Sequence, residues 1–125
     1  MIRPRLCASP WGRESNVDRR SSLRNCGSMV VEIALLTAKA GAADELREAL
    51  RTARNVIATA PGYLSGVFHQ GIEEPDSFIL RLEWETLEDH LRFRETPLLA
   101  AWRQPFFHLL AGPPKVTHYQ AFVGP

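Results

Sequence analysis

The stretch SFILRLEWETLEDHLRFRETPLLAAW, residues 77–102, decides the fold. Phe78, Leu80, Leu82 and Trp84 alternate with Ile79, Arg81, Glu83 and Glu85, the period of two that sends one set to each face of a strand. Thr86 follows as a helix N-cap, and Asp89 completes a capping-box pattern with Asp in the usual Glu or Gln place. A helix running to about Arg94 sets His90 on one face with Leu87, Leu91 and Arg94. A tryptophan that closes a strand and a histidine on the next helix therefore predict a shared pocket. Thr96-Pro97 opens a second helix, and Pro105 removes one of its hydrogen bonds, so it kinks or splits there.

Working outward, MVVEIALLT (29–37) is rich in β-branched residues and reads as a first strand. From Ala42 to about Thr59, the apolar residues Leu46, Ala49, Leu50, Ala53, Val56, Ile57 and Ala60 recur at helical spacing, with Arg47, Glu48, Arg51 and Arg54 opposite. Asp44 and Glu45 suit the positive end of the helix dipole. Pro61-Gly62 ends this helix. Tyr63 to Gly71 is a second strand, and Glu73-Glu74-Pro75-Asp76 turns it into the third as a hairpin. Lys115 to Val123 is the last strand. The order strand, helix, strand, strand, helix, strand predicts an α+β, ferredoxin-like βαββαβ domain with a four-stranded antiparallel sheet. Helices on one face leave the other bare, carrying Arg81, Glu83 and Glu85 if Trp84 faces the helices. Such a sheet is expected to meet a second copy, giving a homodimer with facing sheets.

The 125 residues suit one domain. No run approaches the roughly 18 apolar residues of a membrane span, so no membrane partner is expected. Residues 1–28 carry six Arg and a net charge of +4, whereas 29–125 carry nine basic and twelve acidic side chains, net −3. A mildly acidic domain with no basic stripe argues against a nucleic-acid partner. Residues 1–28 lack hydrophobic periodicity and a secretory apolar core. They read as an extension, or as an upstream reading ahead of a start at Met29; the Arg-rich composition also admits an organelle transit peptide. The domain is thus placed at 29–125. Both cysteines, Cys7 and Cys26, fall in the first segment, and neither CxxC nor HExxH spacing occurs. No metal site and a cytoplasmic setting are the simplest expectations.

TAKAGAADELREAL (37–50), APGYLSG (60–66), FILRLEWETLEDH (78–90) and WRQPFF with PPKVTHY (102–119) resemble the antibiotic biosynthesis monooxygenase family of dimeric α+β barrels. The resemblance spans nearly all of residues 30–122. It implies a cofactor-independent monooxygenase acting with O₂ on a small aromatic, quinol or polyketide-like molecule. Other members degrade haem, using an Asn on the first strand with a Trp and a His; Val30–Thr37 contains no Asn. The nearest likeness is to members with a Trp-Glu, His, Phe-Arg, Trp-Arg, His-Tyr series, matched by Trp84, Glu85, His90, Phe93, Arg94, Trp102, Arg103, His118 and Tyr119.

A cofactor-free oxygenase must make an electron-rich substrate anion, hold it and exclude bulk water. His90 titrates in the range of a base, and Trp84 offers a ring wall and an indole donor; these two are the candidate catalytic residues. Arg94, Trp102, His118 and Tyr119 are candidate substrate-binding residues, with His118 or Tyr119 serving according to which way the strand faces. Each also has a packing role open to it. Trp84, and Trp102 with Phe106, fit a core; His118 fits a dimer contact; Arg94 fits a surface pair with Glu88 or Glu95; His69 and His108 fit the solvated rim. A haem-binding protein and a non-catalytic ligand-binding or structural dimer are the alternatives.

Overall fold

The computed structural model describes residues 29–124; the expected extension at 1–28, with Cys7 and Cys26, lies outside them. The elements are β1 (Val30–Thr37), α1 (Ala43–Ile57), β2 (Tyr63–Gln70), β3 (Ser77–Trp84), α2 (Leu87–Phe93), α3 (Pro97–Arg103), a 3₁₀ turn (Phe107–Leu109) and β4 (Lys115–Tyr119). The strands form one sheet in the order β2-β3-β1-β4, every pair antiparallel. This is the ferredoxin-like α+β architecture expected from the sequence, with β1 and β3 at its centre.

Alternation on the two central strands sorts the sheet faces. Ala34 and Leu36 of β1 and Phe78, Leu80, Leu82 and Trp84 of β3 are buried against the helices. Leu46, Leu50, Ala53 and Ile57 of α1 complete that core. Each fully buried Leu or Ile contributes about 1.5–3 kcal/mol, so this one interface supplies most of the driving force for folding. Thr86 Oγ1 accepts the Asp89 N–H at 3.0 Å, starting α2. Asp89 turns its carboxylate to Arg92 instead, 3.0 Å away. Gly62, at φ +87°, carries the chain from α1 into β2, and a Cβ there would lie 2.3 Å from Asp89 Cγ.

Several boundaries and faces differ from expectation. β4 stops at Tyr119 rather than Val123, because Tyr119 pairs with Val31 and β1 has only Val30 beyond it. α3 ends at Arg103 and Pro105 separates it from the 3₁₀ turn, so the proline splits the helix. On α2 the buried residues are His90 and Phe93, whereas Leu87 and Leu91 are exposed. The expected face of His90 with Leu87, Leu91 and Arg94 is thus corrected, and the physical reason is the large indole beneath: it takes the rings of His90 and Phe93, 5.0 and 5.6 Å from Trp84, and leaves both leucines outside.

The bare face is largely apolar, with Leu35, Val67, Ile79 and Tyr119 exposed on it. Within it, Glu83 is buried rather than solvated. Arg81 Nη1 reaches its Oε2 at 2.9 Å and Ser65 Oγ donates to Oε1 at 3.2 Å, which compensates the desolvated carboxylate.

Candidate active site

The site begins with a residue to which the sequence reading gave no role. Glu32 stands in phase with Ala34 and Leu36, so it points from the central strand into the helix-covered side. Its carboxyl is buried beside two rings. Trp84 Nε1–H donates to Glu32 Oε1 at 2.9 Å, and His90 Nε2 lies 3.3 Å from the same oxygen. Glu32 also lines a cavity of about 350 Å³ between sheet and helices. The in-phase carboxylate on a buried strand face was the available signal.

His90 continues the chain of polar groups outward. Its Nδ1 is 2.7 Å from Nε2 of His118 on β4, the strand position opposite Glu32. An uncharged His90 donates from one ring nitrogen and accepts at the other, so Glu32, His90 and His118 form a directional series. Reversing both bonds amounts to moving a proton from one end to the other. His118 is half-buried and also borders a separate surface hollow with Thr86, Leu87 and Tyr119. The series therefore runs from the cavity to the outside of the domain.

Burial dominates the electrostatics. Desolvation pushes the Glu32 carboxyl up to about 7, against the smaller opposing effects of the Trp84 hydrogen bond and the Arg94 charge. Desolvation likewise draws His90 down to about 4, with His118 and then Arg94 adding to the effect. His118 is lowered as well, burial first and Arg94 second. An ion pair between Glu32 and His90 would move both groups the other way; the cost of desolvating two charges outweighs their attraction. Between about pH 4 and 7 the pair is held neutral, its acidic proton on the glutamate.

The structure thus brings together four of the six sequence-predicted residues around one cavity. His90, Arg94 and Trp102 line it, and His118 backs His90. Trp84 lies behind the lining, fully buried and stacked on His90 with ring planes 28° apart. Trp102 is largely buried, edge-on to Phe68 and Phe106. Tyr119 is on the opposite sheet face, since it pairs with Val31 while His118 pairs with Glu32. Arg94 turns to the cavity rather than to Glu88 or Glu95. His69 and His108 are exposed. Among the described residues, no three His, Cys, Asp or Glu side chains converge as a metal site, and no helix is long and apolar enough to cross a membrane.

Comparison with known proteins agrees with this architecture. Residues 29–105 match the family model described as antibiotic biosynthesis monooxygenase. The uncharacterized protein YczJ of Bacillus subtilis is 34% identical over 93 residues, covering 74% of this chain and 98% of YczJ. A Bordetella bronchiseptica protein described by the same family name superposes with a TM-score of 0.73 at 29% identity, over 77% of this chain and 99% of its own. SnoaB, a cofactor-independent oxygenase from Streptomyces nogalater, superposes with a TM-score of 0.67 at 15% identity, over 75% of this chain and 93% of its own. At that identity the likeness is one of fold.

Proposed function

The chain belongs to the antibiotic biosynthesis monooxygenase family, and on that premise we propose that it is a cofactor-independent monooxygenase acting on a small aromatic, quinol or polyketide-like substrate. The observation that carries this reading is Glu32: a carboxyl titrating near 7, with one oxygen fixed by Trp84 and the group itself on the wall of a cavity. A general base works best with its pKa near the operating pH, and burial beside an indole is a known way to bring a glutamate there.

In the proposed reaction Glu32 Oε2 takes the proton of a phenol or enol, and the guanidinium of Arg94 favours the resulting anion. The anion gives one electron to O₂, and the two radicals combine at carbon. The peroxide then loses water, so that a CH₂ becomes C=O with one O₂ consumed and one water released. His90 accepts the proton from Glu32 and hands it toward His118, resetting the base. Trp84 is a positioning residue, fixing the carboxyl that does the chemistry. Trp102 and Phe93 form apolar walls that stack on the substrate.

The volume of about 350 Å³ is near the lower end of small-molecule sites, roughly 300–1,000 Å³, which suits a molecule of about two or three fused rings rather than a tetrapyrrole. Both His90 nitrogens already face polar partners, a further argument against His90 as a haem ligand. A second copy of the chain covers the apolar sheet face in this reading, and cytoplasmic, non-membrane, non-nucleic-acid chemistry fits the whole.

The test is oxygen uptake by purified protein with anthrones and naphthoquinols in the presence of a chelator. Turnover above the protein-free rate is expected, with Glu32→Gln slower by about 100-fold or more, the range a general base supplies. Uptake equal to the protein-free rate across the panel would leave a non-catalytic ligand-binding dimer.

A further inference from the structure

Two arginines on the same cavity have no carboxylate partner among the described residues. Arg94, at the C-terminal end of α2, and Arg103, in the last turn of α3, both line it. Other arginines are satisfied: Arg51 by Glu48, Arg81 by Glu83, Arg92 by Asp89. Arg103 is also held in place, its guanidinium carbon 4.7 Å above the Phe107 ring. That contact fixes the fork without using up its N–H donors. In a domain of net charge −3, two such guanidinium groups on one largely apolar cavity make a local positive site suited to an anion.

We propose that the substrate is an acid: a two- or three-ring aromatic or polyketide-like molecule whose carboxylate is received by Arg103, with Arg94 adding a second positive charge to the same lining. This rests on the functional reading above and adds the chemical class of the substrate. The direction of binding follows from the lining. A carboxylate placed against Glu32 would meet a buried acid, whereas at Arg103, which is only half-buried, it gains charge-assisted hydrogen bonds. The acid end therefore sits outward, and the hydroxyl or enol reaches inward to Glu32 and His90. Leu36, Leu80 and Trp102 supply apolar lining to the same cavity.

Binding, rather than turnover, separates this inference from the catalytic one. 6-Hydroxy-2-naphthoic acid, with its hydroxyl and carboxylate at opposite ends of the rings, and its methyl ester share the same rings and hydroxyl and differ mainly in the charge. Calorimetric titration at low salt should show the acid bound about tenfold or more tightly, the scale of one charge-assisted hydrogen bond. Arg103→Gln should remove most of that preference by lowering acid affinity far more than ester affinity, Arg103→Lys should keep part of it, and added salt should weaken the acid more than the ester. Unchanged circular dichroism and melting confirm that the variants are folded. Equal affinity for acid and ester, an acid preference untouched by Arg103→Gln, or binding of neither probe would overturn the proposal. Oxygenation of a neutral quinol with no acid preference would sink this inference and spare the catalytic reading. An Arg-dependent acid preference without oxygen uptake would do the reverse.

Discussion

Glu32 Oε1 and the indole N–H of Trp84, on neighbouring central strands and 52 positions apart in the chain, share a buried hydrogen bond 2.9 Å long. The bond holds the carboxyl where His90 can reach it, and it is one of two effects that restrain the rise of the Glu32 pKa, the other being the Arg94 charge. Replacing Trp84 by Phe keeps an aromatic ring and deletes the donor. Glu32 should then titrate above 7, and the acid limb of the pH–rate profile should move up with it. The lost bond and the lost ring atoms together should cost about 2 kcal/mol or more of stability. An unmoved acid limb in a folded Trp84→Phe variant would remove Glu32 from the base role.

The pH dependence of stability tests the neutral pair. The Glu32 pKa is raised on folding, so its contribution is present below about 4.5 and is lost as pH rises through about 7. The His90 pKa is lowered, so its contribution is present above about 6.5 and is lost as pH falls through about 4. Over pH 4.5–6.5 the two oppose each other. Urea midpoints should therefore show Glu32→Gln gaining on the parent as pH rises through this window, and His90→Gln losing ground. The slopes are bounded by about 1.4 kcal/mol per pH unit for one proton. Curves parallel to the parent for both variants would mean that burial does not hold the pair neutral.

His118 contributes to the low His90 pKa through its charge. His118→Gln keeps a polar group at the end of the series but cannot be protonated. The His90 pKa should rise in that variant, read from imidazole ¹⁵N shifts across a titration. Oxygen consumption should slow as well, because the proton leaving Glu32 loses its exit. A variant with an unmoved His90 titration would separate the two rings electrostatically.

Two glycines with positive φ should respond differently. At Gly62 an added Cβ meets the Asp89 side chain, while at Gly41, φ +79°, it meets open space. Gly41→Ala should cost about 1 kcal/mol, the strain of a left-handed residue alone. Gly62→Ala should cost more, about 2–3 kcal/mol, because Asp89 must also move from the start of α2. Thermal melting ranks them, and equal losses would show that Asp89 yields freely.

If a second copy covers the bare sheet face, a charge placed there should prevent it. Ile79 is 41% exposed on that face, so Ile79→Asp leaves the core of one domain intact. Light scattering behind size exclusion should find a dimer for the parent and a monomer for the variant, with little change in far-UV circular dichroism. A monomeric parent would dispose of the paired-sheet arrangement.

The fold was legible because it is written in periodicities. Alternation along Phe78–Trp84, helical spacing along Leu46–Ile57, and punctuation at Pro61-Gly62, Thr86 and Pro97 are local signals, and each names its element without reference to distant residues. They fixed the order βαββαβ and the neighbourhood of Trp84 and His90. They set His90 on one face of α2 with Leu87 and Leu91, and could not show that Phe93 rather than the leucines would be buried with it, because only the indole beneath decides that. Nor could they fix the end of β4, which depends on where its partner strand begins.

What the sequence determined by itself, then, is the set of elements and the location of a pocket, since both follow from patterns a few residues long. Tertiary structure alone decided the chemistry within it. Glu32 becomes a buried carboxyl titrating near 7 only when β1, β3, α2 and β4 enclose it, and His118 rather than Tyr119 joins it only through the register of β4 on β1. A pKa is set by the water removed and the charges gathered around a group, and those come from parts of the chain that local pattern does not connect.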